Sequence, residues 1–81
     1  MGALVTAENL LEKVASLTVG RGAHEVTASC FAIGVGPNRR YEIVLEGGGE
    51  KAVFDVPRGV DPGPLLPVAA ELFAGSLQAR R

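Results

Sequence analysis

The sequence predicts a two-layer α+β fold, αβββα, in which a three-stranded antiparallel sheet carries two helices on one face. Three observations predict it. Apolar residues recur at three- and four-residue steps near both ends of the chain, as in amphipathic helices. The middle of the chain alternates apolar and polar residues, as strands with one buried face do. Short glycine-rich links join these stretches, so consecutive strands are expected to pair antiparallel.

The chain has room for one hydrophobic core. It has 81 residues, of which 47% are hydrophobic. We therefore expect a single α+β domain spanning residues 1–81. A core this small barely offsets the entropy lost when the chain folds, so we expect self-association or binding to a larger protein.

The first helix is predicted over Thr6–Val19. Its apolar residues, among them Leu10, Val14 and Leu17, fall on one helical face. Its first residue is a suitable N-cap, because a threonine hydroxyl can accept hydrogen bonds from the first-turn amides. Gly20 follows at the position of a left-handed C-cap.

A first strand is predicted over His24–Val35, but its facing is open because both of its faces carry apolar residues. If the set that contains Val26 faces the helices, Phe31 and Ile33 point away from them. If the other set faces the helices, Val26, Cys30 and Ala32 are left on the outer face. A bulge could also mix the two sets. The first set is Val26, Ala28, Cys30 and Ala32, and the second is Thr27, Ser29, Phe31 and Ile33.

The next two strands, Tyr41–Glu46 and Lys51–Val56, form a hairpin around three glycines. Their alternation fixes the register, with one core-facing set and one solvent-facing set. Glu42 then lies opposite Asp55, a like-charge pair that requires a cation from Arg39, Arg40 or a partner. The core-facing pairs are Leu45–Ala52, Ile43–Phe54 and Tyr41–Val56, and the others are Glu46–Lys51 and Val44–Val53.

The last helix is predicted to begin at Asp61-Pro62. The aspartate can cap the helix, and the proline suits its first turn. Its apolar stripe comprises Leu65 or Leu66, Ala69, Leu72, Phe73, Ser76 and Leu77.

Residues that could support catalysis or metal binding are scarce. Cys30 and His24 are the soft ligands of the chain, and about 20 Å of strand would separate them. The glycine-rich segments match neither phosphate-loop pattern. We therefore expect no enzyme activity, no cofactor and no metal. The single cysteine fits a reducing compartment, and the first residues resemble neither a signal peptide nor a membrane span, so we expect a cytoplasmic protein without membrane attachment.

The predicted function is protein binding through the outer, helix-free face of the sheet. That face keeps apolar residues bordered by charges, a pattern typical of contact surfaces, although an ordinary mixed surface would show it too. We expect self-association, as a homodimer, or stoichiometric binding of a larger partner. The partner-binding candidates are Phe31, Ile33, Glu42, Val44, Glu46, Glu50, Val53 and Asp55.

The alternative function is a nucleic-acid-binding adaptor. Arg21, Arg39, Arg40 and Lys51 could contact phosphates. The net charge of −1 argues against a general polyanion binder, so nucleic acid is not the expected partner.

Two family resemblances bear on these hypotheses. The element order is similar to that of double-stranded RNA-binding domains, but the stretch Val60–Leu65 lacks the basic residues with which that family grips phosphates. The segment Tyr41–Gln78 resembles small phage-encoded proteins, including anti-CRISPR inhibitors. This second resemblance implies a stoichiometric inhibitor whose acidic hairpin occupies a nucleic-acid-binding surface on its target, through Glu42, Glu46, Glu50 and Asp55.

Overall fold

The computed structural model describes residues 11–20, 22–34 and 36–79 of the chain. Its strands form one antiparallel sheet in chain order, and the helix packs on one face. The α+β prediction is confirmed, but among the described residues the sheet has four strands and one helix covers it. The elements are β1 (Leu11–Val19), β2 (Val26–Ile33), β3 (Arg40–Gly47), β4 (Glu50–Asp55) and α1 (Pro62–Ala79).

The segment predicted as the first helix is an edge strand where the structure describes it, so the αβββα order was wrong. Leu11–Val19 pairs with β2 along its length, and residues 6–10 of that predicted helix lie outside the described residues. A β-bulge between Lys13 and Ala15 interrupts the two-residue alternation of β1. Because of that interruption, its apolar residues fall at three-residue steps, a spacing that a helix shares.

The described residues of the loops on either side of β2 have matching backbone conformations. The first glycine of each loop has a positive φ, 80° at Gly20 and 84° at Gly34. The second glycine, Gly22 or Gly36, has a φ of 61° and begins a single 3₁₀ turn. The residue after each turn donates its N–H to the carbonyl of that second glycine, at 3.2 and 3.1 Å. The same Gly-x-Gly pattern therefore closes two successive hairpins.

The β3–β4 hairpin has the predicted register. Gly48 and Gly49 have φ values of 59° and 78° and form a two-residue turn of the kind that matches the twist of a hairpin. Each strand ends within one residue of its predicted bounds. The register pairs Ile43 with Phe54, Leu45 with Ala52, Val44 with Val53, Glu42 with Asp55 and Glu46 with Lys51.

The core lies between the sheet and α1, which contacts β1, β2 and β3. Val26, Ala28 and Cys30 belong to this core, so their face of β2 points to the helix and Phe31 and Ile33 point away. The facing left open by the sequence is thereby resolved. The buried cluster comprises Val26, Ala28, Cys30, Ile43, Leu45, Val56, Leu66, Ala70 and Leu77.

Helix α1 begins where the sequence predicts. The backbone N–H of Gly63 donates a 3.0 Å hydrogen bond to Oδ1 of Asp61, which caps the first turn. Within Pro62–Ala79 the helix has one charged residue, Glu71, and its solvent-facing side exposes large apolar side chains. In the part of the chain that the structure describes, no helix is long and apolar enough to cross a membrane.

Candidate protein-interaction surface

The outer face of the sheet is the face opposite α1. Alternation and register place every predicted partner-binding residue on it except Glu50, which the alternation of β4 puts on the helix side, beside the hairpin turn. No described helix or strand packs over this face. Its members among the predicted residues are Phe31, Ile33, Glu42, Val44, Glu46, Val53 and Asp55.

Cross-strand pairing arranges the outer face in rows. Apolar residues from three successive rows form a diagonal band, here called the apolar strip: Ile33, Phe31, Val44 and Val53. A polar row borders the strip near the β1–β2 loop and the β3–β4 turn. From one end of the sheet to the other, the rows are Leu11, Ile33 and Arg40; Lys13, Phe31, Glu42 and Asp55; Ser16, Ser29, Val44 and Val53; and Thr18, Thr27, Glu46 and Lys51.

Burial along the apolar strip decreases toward β4. Ile33 is 9% exposed, Phe31 and Val44 are half-buried, and Val53 is 52% exposed. The Nζ of Lys13 lies 5.9 Å from the centroid of the Phe31 ring, within the range of a cation–π interaction. The strip is thus most open where the sheet ends, at its β4 edge.

The charges beside the strip are not balanced within the described residues. Glu42 lies opposite Asp55, as predicted, and no described basic side chain forms an ion pair with either carboxylate. Arg39 pairs with Glu12 instead, at 3.9 Å. Arg40 lies on the outer face beside Ile33, one row from the acidic pair, and forms no ion pair with either carboxylate. Among the described residues, the acidic pair is therefore left without an ion-pair partner.

The predicted phosphate contacts do not form one group in the described structure. Arg39 lies against Glu12 and 5.7 Å from the ring centroid of Tyr41, both helix-side residues. Arg40 points to the outer face, and Arg21 lies outside the described residues. The two described arginines therefore point to opposite faces and do not converge on a single anion.

Cys30 and His24 are also separated. His24 is exposed in the turn after β1, whereas Cys30 is buried in the core. Burial raises the pKa of the Cys30 thiol, which keeps it protonated and poorly nucleophilic at neutral pH. Among the described residues, no group of three metal-binding side chains comes together.

The sequence did not predict a second apolar feature, a groove of about 300 Å³ between α1 and β4. Phe54, predicted as a core residue, is 38% exposed in it, and Leu72 is 70% exposed. The groove exists because α1 lies mainly over β1 to β3 and covers the Phe54 end of β4 less completely than Ala52, which packs against the core. Its walls are formed by Leu45, Phe54, Ala69, Leu72 and Phe73.

The sequence also missed two outer-face residues, Leu11 and Lys13, because their segment was predicted to be helical. A strand-period reading of β1 with one bulge would have found them, since both pair with apolar residues of β2. The chain matches no protein-family model, no curated protein and no solved structure.

Proposed function

We propose that this domain is a non-enzymatic protein-interaction module that binds a protein partner, or a second copy of itself, through the outer face of its sheet. The observation that carries the proposal is the apolar strip. It runs diagonally across a face that no described helix or strand covers, and it opens to 52% exposure at Val53. An antiparallel sheet with one wet face ordinarily presents polar residues on that side.

The polar border of the strip supports the same function. Protein interfaces combine an apolar centre with a charged rim that excludes water and sets orientation. Here Glu42, Asp55 and Glu46 flank the valines, so the surface favours a partner that brings apolar side chains at its centre and basic ones at its edge. The acidic border also accommodates a basic target, as a stoichiometric inhibitor would require.

The test is the substitution Val44→Glu. It places a charge in the middle of the strip, where partner binding would have to bury it, and we expect binding to weaken at least tenfold, by about 1.4 kcal/mol. Partners are captured on immobilised protein and quantified by mass spectrometry, and purified complexes are then titrated. Sedimentation of the pure protein measures self-association in parallel.

Thr18→Glu is the matched control, because it adds the same charge to the same face but in the polar row. A partner retained by Thr18→Glu and lost by Val44→Glu supports the proposal. Equal behaviour of the two variants, with both folded by circular dichroism, would contradict it.

A further inference from the structure

The outer edge of β4 is a regular strand edge, of the kind that can pair with another strand. β4 ends the sheet, and no described strand continues it. The opposite edge, β1, carries a bulge, a common device against edge-to-edge pairing, whereas β4 is regular along its length. Val53, Phe54 and Asp55 are all exposed at this edge.

The hydrogen-bonding groups of β4 alternate between its neighbour and the free edge. The N–H of Val56 donates to the carbonyl of Tyr41 at 2.9 Å, so these two residues face each other as a hydrogen-bonded pair. Alternation then directs the backbone groups of residues 52 and 54 toward β3. The backbone groups of Lys51, Val53 and Asp55 point outward.

We propose that two copies of this chain pair through β4, antiparallel, with Val53 opposite Val53 at a two-fold axis, and so form one continuous sheet. A two-fold axis perpendicular to the sheet keeps both helices on the same side. In this register residues 51, 53 and 55 of each copy exchange backbone hydrogen bonds with residues 55, 53 and 51 of the other. The partner is thus a second copy of this chain.

Charge selects this register over its neighbours. Lys51 of each copy lies opposite Asp55 of the other on the outer face, twice, which supplies the cation that Asp55 lacks beside Glu42. Centring the pairing on Lys51 or Asp55 would place like charges opposite each other. Centring it on Ala52 would place Lys51 opposite Val53 and Asp55 opposite Gly49. Centring it on Phe54 would place Asp55 opposite Val53 and Lys51 opposite Pro57, so neither register pairs opposite charges.

Apolar contacts reinforce the same arrangement on both faces. On the helix side Phe54 lies opposite Ala52 of the other copy, in a non-hydrogen-bonded pair whose Cα atoms approach to about 4.5 Å. The groove between α1 and β4 in each copy then opens onto its counterpart across the axis. On the outer face, the Val44–Val53 row continues directly into Val53–Val44 of the second copy.

This inference rests on the proposed function, since it identifies a second copy as one partner and doubles the length of the apolar strip. The two remain separable. Pairing at the β4 edge depends on Lys51 and Asp55, whereas binding of another protein depends on Val44. A protein that stays monomeric can still lose its partner on Val44→Glu.

The test is a charge exchange followed by sedimentation velocity across a concentration series. Asp55→Lys gives two lysine–lysine pairs in the dimer and Lys51→Asp gives two aspartate–aspartate pairs, so each variant alone should dimerise about tenfold more weakly. An equimolar mixture of the two restores two opposite-charge pairs and should form a heterodimer. The double exchange Lys51→Asp with Asp55→Lys should restore the homodimer.

Glu25→Lys is the control for net charge, because it makes the same change as Asp55→Lys at an exposed loop position away from β4. It should dimerise like the unaltered protein. A protein that is monomeric at every concentration overturns the inference. A dimer whose dissociation constant is the same in both single variants as in the unaltered protein overturns it as well. A mixture that fails to associate more tightly than its components rejects the register.

Discussion

Burial of Cys30 has a consequence that can be measured at a single atom. The thiol packs beneath α1 at 2% exposure, and its pKa lies above the ordinary value of 9.0 because burial disfavours the thiolate. In the unfolded chain the thiol ionises nearer 9.0. The folded state therefore binds the proton more tightly, and its stability falls as the pH rises from that value toward the pKa in the folded state.

We predict that unfolding by denaturant shows this loss above pH 9.0 in the unaltered protein and a smaller loss in Cys30→Ala. The two proteins differ only at this side chain, so the difference between their profiles isolates the thiol. The native protein should also react slowly with thiol reagents at neutral pH. Fast labelling of the native state, or parallel pH profiles for the two proteins, would show that Cys30 is not buried as described.

At the level of elements, substitutions in the loop after β1 test whether Leu11–Val19 is a strand. A Cβ added at Gly20 would lie 2.5 Å from the carbonyl oxygen of His24, and its φ of 80° disfavours side chains. Gly22 also has a positive φ, but nothing lies within 4 Å of its added Cβ. The loop therefore offers two glycines with similar backbones and different surroundings.

We predict that Gly20→Ala destabilises the domain more than Gly22→Ala. Each substitution lowers the free energy of unfolding by about 1 kcal/mol, because alanine disfavours the left-handed backbone. Gly20→Ala adds the clash with His24, so its total loss should be about 2–3 kcal/mol, measured by thermal or denaturant unfolding. Equal losses would mean that the chain after β1 does not fold back over His24, as the hairpin with β2 requires.

The elements differ in how far the sequence determines them, and the reason is physical. The β3–β4 hairpin is predictable with its register, because two glycines fix the turn and both strands alternate without interruption. β1 is not predictable in this way, because its bulge gives its apolar residues a helix-like spacing. Its strand conformation also depends on pairing with β2, which lies elsewhere in the sequence. Pairing with β2 here outweighs local helix propensity.

The residues of the candidate surface also differ in how far the sequence determines their positions. Alternation places Val44, Val53 and Asp55 on one face correctly, since the hairpin register determines it. The facing of Phe31 could not be decided, because β2 carries apolar residues on both sides and only the position of α1 chooses between them. The exposure of Phe54 likewise depends on where α1 lies across the sheet, which no local pattern encodes.

At the scale of the whole molecule, the described helix lies on the described four-stranded sheet in a flat slab. Its principal extents are 42 × 33 × 17 Å, and its radius of gyration of 14.3 Å exceeds the ~12 Å of a compact chain of this length. A flat shape buries less apolar surface than a compact one, so a small core of this kind gains from association. Extending the sheet at β4 would cover exposed edge without disturbing the core.

The most direct test of this assembly is disulfide cross-linking at the proposed two-fold axis. In the dimer, two Val53→Cys residues face each other with Cα atoms about 5.5 Å apart, within disulfide range. Two Val44→Cys residues, each one strand further from the axis, would be about 15 Å apart. Cys30 is buried and does not compete.

We predict that mild oxidation links Val53→Cys into covalent dimers on a non-reducing gel, while Val44→Cys stays monomeric. Absence of the link in Val53→Cys, or equal linking of both variants, would contradict pairing of two copies through β4.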